Sequence, residues 1–161
     1  MNTSPPPNAA LAEPTLADIG LANFAPYLLN RIMGRYNASL REELSDLGLT
    51  TAKMRALAVL TTLDAPLIGE LAVFTVTDLS TLSRALDQLD SEGLIRRRSD
   101  PEDSRATRVE IADAGRAAFA RLWPQMAAAQ ARMFRGIPEV ERLAFVATLQ
   151  KMLTNIRKHE I

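Results

Sequence analysis

The chain has 161 residues, no cysteine, and nineteen basic residues against nineteen acidic ones. This length suits one domain with a sizeable core, and the lack of cysteine excludes disulfides, thiolate nucleophiles and Cys-ligated zinc. No basic run precedes an apolar core near the N-terminus, and no stretch approaches roughly 18 uninterrupted apolar residues. We therefore expect a cytoplasmic protein with neither a secretory signal nor a membrane span.

The N-terminal part is predicted to be an arm followed by a long helix. Residues 1–14 hold four prolines among asparagine, serine and threonine, which indicates a disordered or extended segment. Residues 15–23 are ambiguous. From residue 24 to residue 46 apolar side chains recur mainly every four positions, which predicts a single helix ended by Gly48. The apolar row comprises Phe24, Leu28, Ile32, Tyr36, Leu40 and Leu44.

Two shorter helices are predicted next. Thr50 is a suitable N-cap for a helix at residues 51–63, and a short apolar helix follows at residues 67–74. Only a short turn then separates this helix from the next, a spacing typical of a helix-turn-helix unit. The side chains predicted to face inward in the first of these helices are Met54, Leu57, Ala58 and Leu60.

A strongly amphipathic helix begins near Thr77, its predicted N-cap. Leucines three and four positions apart share one face, and Gly93 suits the left-handed residue that ends such a helix. The opposite face carries short hydroxyls, one arginine and one amide, which can reach phosphates or base edges. The apolar face comprises Leu79, Leu82, Leu86 and Leu89, and the polar face comprises Thr77, Ser80, Thr81, Arg84 and Gln88.

A β-hairpin is predicted after this helix, with strands at residues 95–98 and 107–111. The connecting sequence SDPEDSRA is rich in turn formers and carries Arg105 at the exposed tip. Alternation places Arg96 and Arg98 on one face of the hairpin and Arg97 on the other, where one face can pair with Glu110 or with a helix carboxylate.

Two long helices are predicted to complete the chain, at residues 113–135 and 138–158. Pro124 predicts a kink or break near Leu122 in the first of them. The first and last helices of the chain carry more apolar surface than the small domain between them can cover, which favours a symmetric homodimer. The apolar stripe of the last helix comprises Leu143, Val146, Leu149, Leu153 and Ile156.

The sequence from about Phe24 onwards carries motifs that resemble those of one family. They are STLSRALDQLDSEGLIRRR, which contains Ser83-Arg84, then DPEDSRA, which contains Asp103-Ser104-Arg105, and IADAGRA. These resemble the winged helix-turn-helix regulators of the MarR (multiple antibiotic resistance regulator) family. The expected fold is mainly α with a small β-hairpin wing. Residues 15–161 then form one domain, with the winged helix-turn-helix at about 49–111 and dimerisation helices at about 15–48 and 112–161.

The resemblance implies a ligand-responsive repressor that binds double-stranded DNA as a homodimer. Its pseudo-palindromic operator would have half-sites about one helical turn, roughly 34–36 Å, apart. A small aromatic or anionic effector would favour a dimer whose recognition helices are wrongly spaced for DNA. The expected DNA-binding residues are Thr77, Ser80, Thr81, Ser83, Arg84, Arg96, Arg98, Asp103 and Arg105.

Each of these residues has an expected role. Ser80, Thr81 and Arg84 would lie in the major groove, while Thr77 and Ser83 would contact phosphate at the flanks. Arg105 would enter the minor groove, oriented by the carboxylate of Asp103, and Arg96 and Arg98 would give supporting contacts. Asp78 counts against this model because it would repel phosphate, unless its carboxylate turns back to the amides of the first helical turn.

An alternative is a winged-helix module that binds another protein without reading DNA. Residues 76–111 contain six arginines against eight acidic residues, which does not favour a bulk electrostatic contact with nucleic acid. An enzyme is not expected, since we find no glycine-rich phosphate loop, no metal-spaced cluster and no credible catalytic histidine. We accordingly predict no cofactor and no metal.

Overall fold

The computed structural model describes residues 13–157, which form two compact units that divide between Ala38 and Ser39. Nearly all of the predicted arm at residues 1–14 lies outside the described residues. The described elements are mainly helical with one two-stranded hairpin, as predicted. They are α1 (Leu16–Ile19), a 3-10 helix (Leu21–Asn23), α2 (Ala25–Ser39), α3 (Arg41–Asp46), α4 (Thr51–Leu60), α5 (Ile68–Thr75), α6 (Leu79–Ser91), β1 (Ile95–Ser99), β2 (Thr107–Ile111), α7 (Asp113–Met133) and α8 (Glu139–Ile156).

The first unit holds short helices that lead into α2. Thr15 begins α1 with a capping box, in which the Thr15 amide donates to the Asp18 carboxylate at 2.9 Å and the Asp18 amide donates to the Thr15 hydroxyl at 3.3 Å. No residue of α2 is buried. The large apolar side chains that the unit leaves exposed are Leu16, Leu21, Phe24, Leu28, Ile32 and Met33.

The single helix predicted at residues 24–46 is wrong, because it is interrupted at Leu40. Leu40 separates the two helices, with φ −102° and ψ 0°, and α3 begins immediately after it. Asn37 and Ser39 precede the break, and both are poor helix formers because their side chains compete for backbone hydrogen bonds. Leu40 and Leu44 are both buried in the second unit.

The core of the second unit is built by α4, α5, α6, α7 and the hairpin. Thr50 caps α4 as predicted, accepting the Lys53 amide at 3.2 Å, but α4 ends at Leu60 rather than at residue 63. The predicted inward positions of α4 hold for Met54, Leu57 and Leu60, whereas Ala58 is only half-buried. Side chains that are completely buried in this core include Leu57, Leu71, Leu82, Leu86, Leu89, Val109 and Leu122.

The hairpin forms hydrogen bonds to the rest of the second unit as well as between its own two strands. β1 and β2 pair antiparallel, with Ile95 opposite Ile111 and Arg97 opposite Val109. On the other side of β2, the Val109 amide donates to the Pro66 carbonyl at 3.0 Å, and Leu67 forms an isolated antiparallel bridge with Arg108. The connection between α4 and α5 is therefore joined to the open edge of β2 by one bridge and one further hydrogen bond.

The last two helices differ in how they are packed. α7 runs without a break through Pro124, so of the predicted kink or break the break is wrong and the kink stays a prediction. Ala118, Leu122 and Ala129 are buried on either side of the proline. By contrast, α8 has no buried residue in its eighteen positions. Among residues 13–157, no helix combines the length and the apolar composition that a membrane crossing requires.

Candidate nucleic-acid interface

The helix α6 buries its leucines and exposes its polar face. Leu82, Leu86 and Leu89 are fully buried, which fixes the rotation of the helix. Leu79 departs from the predicted stripe, because it lies in the first turn and remains 61% exposed. The polar side chains that this rotation exposes are Ser80, Thr81, Ser83, Arg84 and Gln88.

The residue that caps α6 is Asp78 and not Thr77. The Asp78 carboxylate accepts the Thr81 amide at 2.8 Å, whereas the half-buried Thr77 donates its hydroxyl to the Thr75 carbonyl at 3.1 Å. The predicted cap is thus wrong by one position. The carboxylate of Asp78 is turned back to the first helical turn, the one arrangement in which its charge is compatible with a phosphate partner.

Ser80 is tied to the same carboxylate. Its hydroxyl donates to Asp78 Oδ1 at 2.6 Å, and this hydrogen bond, followed by that of the Thr81 amide, holds the pKa of Asp78 well below its ordinary value. Asp78 is therefore ionised at neutral pH. Because the proton of Ser80 is engaged, the Ser80 oxygen can accept a hydrogen bond from a ligand but cannot donate one while this contact lasts.

The turn between α5 and α6 has an unusual backbone. Val76 adopts the left-handed conformation, with φ 50° and ψ 49°, and its side chain is 82% exposed. The carbonyls of Thr75 and Val76 each lie 3.5 Å from Nη1 of Arg55 on α4, which donates to both. The guanidinium of Arg55 thus ties the turn to the helix beneath it.

A buried carboxylate shapes the loop at the tip of the hairpin. Asp100, only 7% exposed, accepts the amides of Glu102 at 2.8 Å and Asp103 at 2.9 Å. These amides and Arg108 hold the pKa of Asp100 below its ordinary value. Arg108 donates to the second oxygen of Asp100 and, at 3.0 Å, to the Ala65 carbonyl. Asp100 and Arg108 therefore preorganise the wing loop.

Arg105 extends from that loop into solvent. Its side chain is 91% exposed, and its Nε lies 3.4 Å from Oδ1 of Asp103, which also accepts the Arg105 amide at 3.0 Å. The contact that we predicted between these two residues is present. Arg105 also lines an open cleft of about 620 Å³ beside the start of α5.

The arginines of β1 divide as alternation predicts. Arg97 Nη2 lies 2.9 Å from Oδ1 of Asp87 on α6, an ion pair without hydrogen-bond geometry. Arg98 pairs with Glu110 at 2.6 Å across the hairpin. Arg98 is thus partly neutralised, whereas Arg84 and Arg96 make no ion pair within residues 13–157.

These contacts pair most of the carboxylates between residues 76 and 111. Five of the eight carboxylates in that segment have a cationic partner within 4 Å; they are Asp87, Glu92, Asp100, Asp103 and Glu110. Four of the partners are arginines of the same segment and only Lys53 comes from outside it, so the acidic excess falls from two charges to one.

Sequence reasoning missed the residues that position this surface. Asp100, Arg108 and Arg55 were not singled out, nor was Lys53, which is buried and pairs with Glu92 at 2.6 Å. One signal was available for Asp100, since an aspartate before proline in a polar loop commonly accepts the amide two residues on. No local pattern marks Lys53, whose partner lies 39 residues away.

Comparison with known proteins gives a consistent result. The model of the MarR family matches residues 49–107. The chain is 59% identical to a MarR family transcriptional regulator from Silicibacter pomeroyi, and the crystal structure of that protein superposes with a TM-score of 0.87 over 91% of this chain and 99% of the other.

Two more distant relatives carry functional names. The HTH-type transcriptional repressor IacR of Pseudomonas putida is 26% identical over 88% of this chain and 82% of its own length. CouR from Rhodococcus jostii RHA1, solved bound to p-coumaroyl-CoA, is 25% identical with a TM-score of 0.72, and the match covers 83% of this chain and 94% of CouR. With near-complete coverage at 59% identity and the same winged fold, this chain belongs to the MarR family of transcriptional regulators.

Proposed function

We propose that the chain is a cytoplasmic, sequence-specific DNA-binding repressor that acts as a homodimer on a pseudo-palindromic operator. The observation that carries this proposal is the surface formed by α6 and the wing, where hydroxyls and unpaired guanidinium groups are exposed together. Arg84 and Arg96 have no carboxylate partner within residues 13–157, and the side chain of Arg105 is 91% exposed. Exposed guanidinium groups are the usual protein partners of phosphate and of guanine.

In this proposal α6 is the recognition helix and lies in the major groove. Arg84 reads a base edge, and the Ser80 oxygen accepts from an exocyclic amine, such as adenine N6 or cytosine N4. Thr81 reads beside them, and Thr77 and Ser83 contact phosphate. Arg105 enters the minor groove with Asp103 as its orienting partner, and Arg96 and Arg98 follow the backbone.

The homodimer is supported by the apolar surface that each unit leaves uncovered. Neither α2 nor α8 has a buried residue, and full burial of one leucine-sized side chain is worth about 1.5–3 kcal/mol. A second copy can cover both surfaces at once and can also present two recognition helices with two-fold symmetry. The exposed side chains of α8 that we expect in the interface are Val140, Leu143, Phe145, Val146, Leu153 and Ile156.

DNA binding is tested by asking which genomic fragments the purified protein retains. Affinity for a retained fragment is then measured by fluorescence anisotropy at several salt concentrations. We expect Arg84→Ala to weaken binding by about 1–3 kcal/mol and to relax preference at one base position, and Arg96→Ala to reduce the salt slope by about 1. Arg121→Ala is the matched control, because Arg121 is an exposed helical arginine without an ion pair among residues 13–157.

Two outcomes would reject the proposal. Binding that is weak, insensitive to salt and equal for all fragments would favour the alternative of a protein-binding module. Pairing of Glu92 with Lys53 reduces the acidic excess that favoured this alternative by only one charge. A monomer in analytical ultracentrifugation at micromolar concentration would reject the dimer.

The proposed response to a ligand is supported mainly by similarity to related proteins. IacR is named a repressor, and CouR was solved with p-coumaroyl-CoA bound. We propose that an aromatic or anionic effector releases this chain from its operator by favouring an unsuitable spacing of the recognition helices. Trp123, the only tryptophan, is 53% exposed beside a cleft of about 260 Å³, so its fluorescence can report binding of p-coumaroyl-CoA or p-coumarate. If neither these nor a wider set of aromatic acids changes DNA affinity, the effector response is wrong.

A further inference from the structure

Two apolar side chains at the start of the recognition helix are exposed without an evident reason. Val76 is 82% exposed and Leu79 is 61% exposed. The other three leucines of the helix, Leu82, Leu86 and Leu89, are completely buried. Core packing, which explains those three, therefore does not explain why positions 76 and 79 are apolar.

The backbone does not explain Val76 either. With φ 50° and ψ 49° this residue occupies the left-handed region, where a β-branched side chain is strongly disfavoured. Glycine or asparagine would adopt the same conformation at lower cost. The valine thus destabilises the turn slightly and gains little burial within its own chain, a combination that points to a role outside the fold.

The position of these side chains relative to the polar face is favourable for contact with bases. Leu79 is the first residue of α6 and directly precedes Ser80, which the proposed function places at a base edge. The N-terminal residues of a recognition helix are those that meet base edges. Val76 lies just before this point, in the turn that Arg55 holds at 3.5 Å from two carbonyls.

We propose that Val76 and Leu79 form an apolar contact for thymine C5-methyl groups in the major groove of the operator. This inference rests on the proposed function and adds a base preference to it. The thymine methyl is the apolar group that base pairs display in the major groove, so it is the partner that suits apolar side chains there. The contact selects A·T pairs beside the positions read by Ser80 and Arg84.

Replacement of thymine by deoxyuridine tests the contact directly, because it removes the methyl group and keeps the base-pair hydrogen bonds. The probe is a duplex that the full-length protein selects from a random-sequence pool, with each thymine replaced in turn. Burial of one methyl-sized group is worth about a fourfold change in Kd, and we expect that loss at a small set of thymines in each half-site.

The same duplexes are then measured with variants. In Val76→Ala and Leu79→Ala the deoxyuridine penalty at the thymines that each side chain contacts should fall below about 1.5-fold, since alanine covers little of the methyl. Arg84→Ala is the comparison variant, because it should weaken binding to every duplex and leave that penalty unchanged. Both alanine positions are exposed, so thermal unfolding should show that these variants remain folded.

The possible failures are distinguishable. If the wild-type protein binds thymine and deoxyuridine duplexes equally at every position, or if both alanine variants keep the full penalty, the inference is overturned and the proposed function stands. If the protein selects no duplex from the pool, both are overturned.

Discussion

Replacing Gly115 with alanine tests how α7 is held against Leu94, in the segment that follows α6. Gly115 lies in the first turn of α7, and an added Cβ would lie 2.0 Å from the Leu94 carbonyl oxygen and 3.0 Å from Cγ1 of Ile111. The same carbonyl accepts the Ala112 amide at 3.0 Å. Neither the carbonyl nor the helix can therefore move without disturbing a hydrogen bond that joins them.

The size of the effect follows from these distances. Real Cβ atoms essentially never approach another heavy atom more closely than 3.0 Å, so the two backbones must separate by about 1 Å. Such overpacking costs about 1–3 kcal/mol, and weakening the Ala112 hydrogen bond adds about 1 kcal/mol. We expect a loss of about 3 kcal/mol in the free energy of unfolding and a fall in Tm of about 6–12 °C.

The assay is urea unfolding followed by far-UV circular dichroism, at equal protein concentration for all variants because association contributes to stability. Gly69→Ala is the matched control, since Gly69 lies in α5 and an added Cβ there has nothing within 4 Å. Its stability should be unchanged or higher by up to about 1 kcal/mol. If Gly115→Ala is as stable as Gly69→Ala, then α7 does not approach Leu94 this closely and the reasoning fails.

Four further variants test other contacts. Val76→Gly should raise the free energy of unfolding by about 0.5–1 kcal/mol, because relief of left-handed strain exceeds the entropic cost of glycine; a drop in Tm would contradict this. Glu92→Gln should lower the free energy of unfolding by about 2–3 kcal/mol, and Lys53→Met should lower it by less than about 1 kcal/mol. The two differ because only the lysine is buried, 5% exposed against 44% for its partner. Equal losses for the two variants in urea titrations would contradict this reasoning. Two loop amides and Arg108 depress the pKa of Asp100 below 3.8, so its stabilising contribution is present above about pH 4 and is lost below it. Asp100→Asn should therefore flatten the loss of stability in acid, and an unchanged slope would refute this.

The structure confirms the predicted elements whose hydrophobic periodicity agrees with the residues that signal their ends. The leucines of α6 are followed by Gly93, and Gly93 does take the left-handed conformation, with φ 70°. The strand at residues 107–111 has the predicted bounds. The helix predicted at residues 24–46 failed because its apolar spacing continues unchanged across Leu40, where the backbone turns. Periodicity alone cannot distinguish one helix from two that share a spacing.

The exposed residues of the candidate site were easier to predict than those that support them. Ser80, Thr81 and Arg84 follow from the rotation of one amphipathic helix, which a local pattern determines. The predicted cap, Thr77, and the observed cap, Asp78, are adjacent residues with similar capping preferences. Asp100 and Arg108 lie eight residues apart, and such a pairing appears only when the register of the hairpin is known.

The pairing of β2 with the α4–α5 connection has a consequence for how an effector could change DNA binding. The wing is bonded to the α4–α5 connection through Val109 and Arg108, and β1 leaves the recognition helix directly at Gly93. The wing and α6 are thus anchored to the same core, which leaves little freedom for an effector to move the hairpin relative to α6. In the proposed homodimer, substitutions that abolish the response to an effector yet preserve operator affinity should accordingly lie outside residues 49–111, in the segments that set the separation of the two copies.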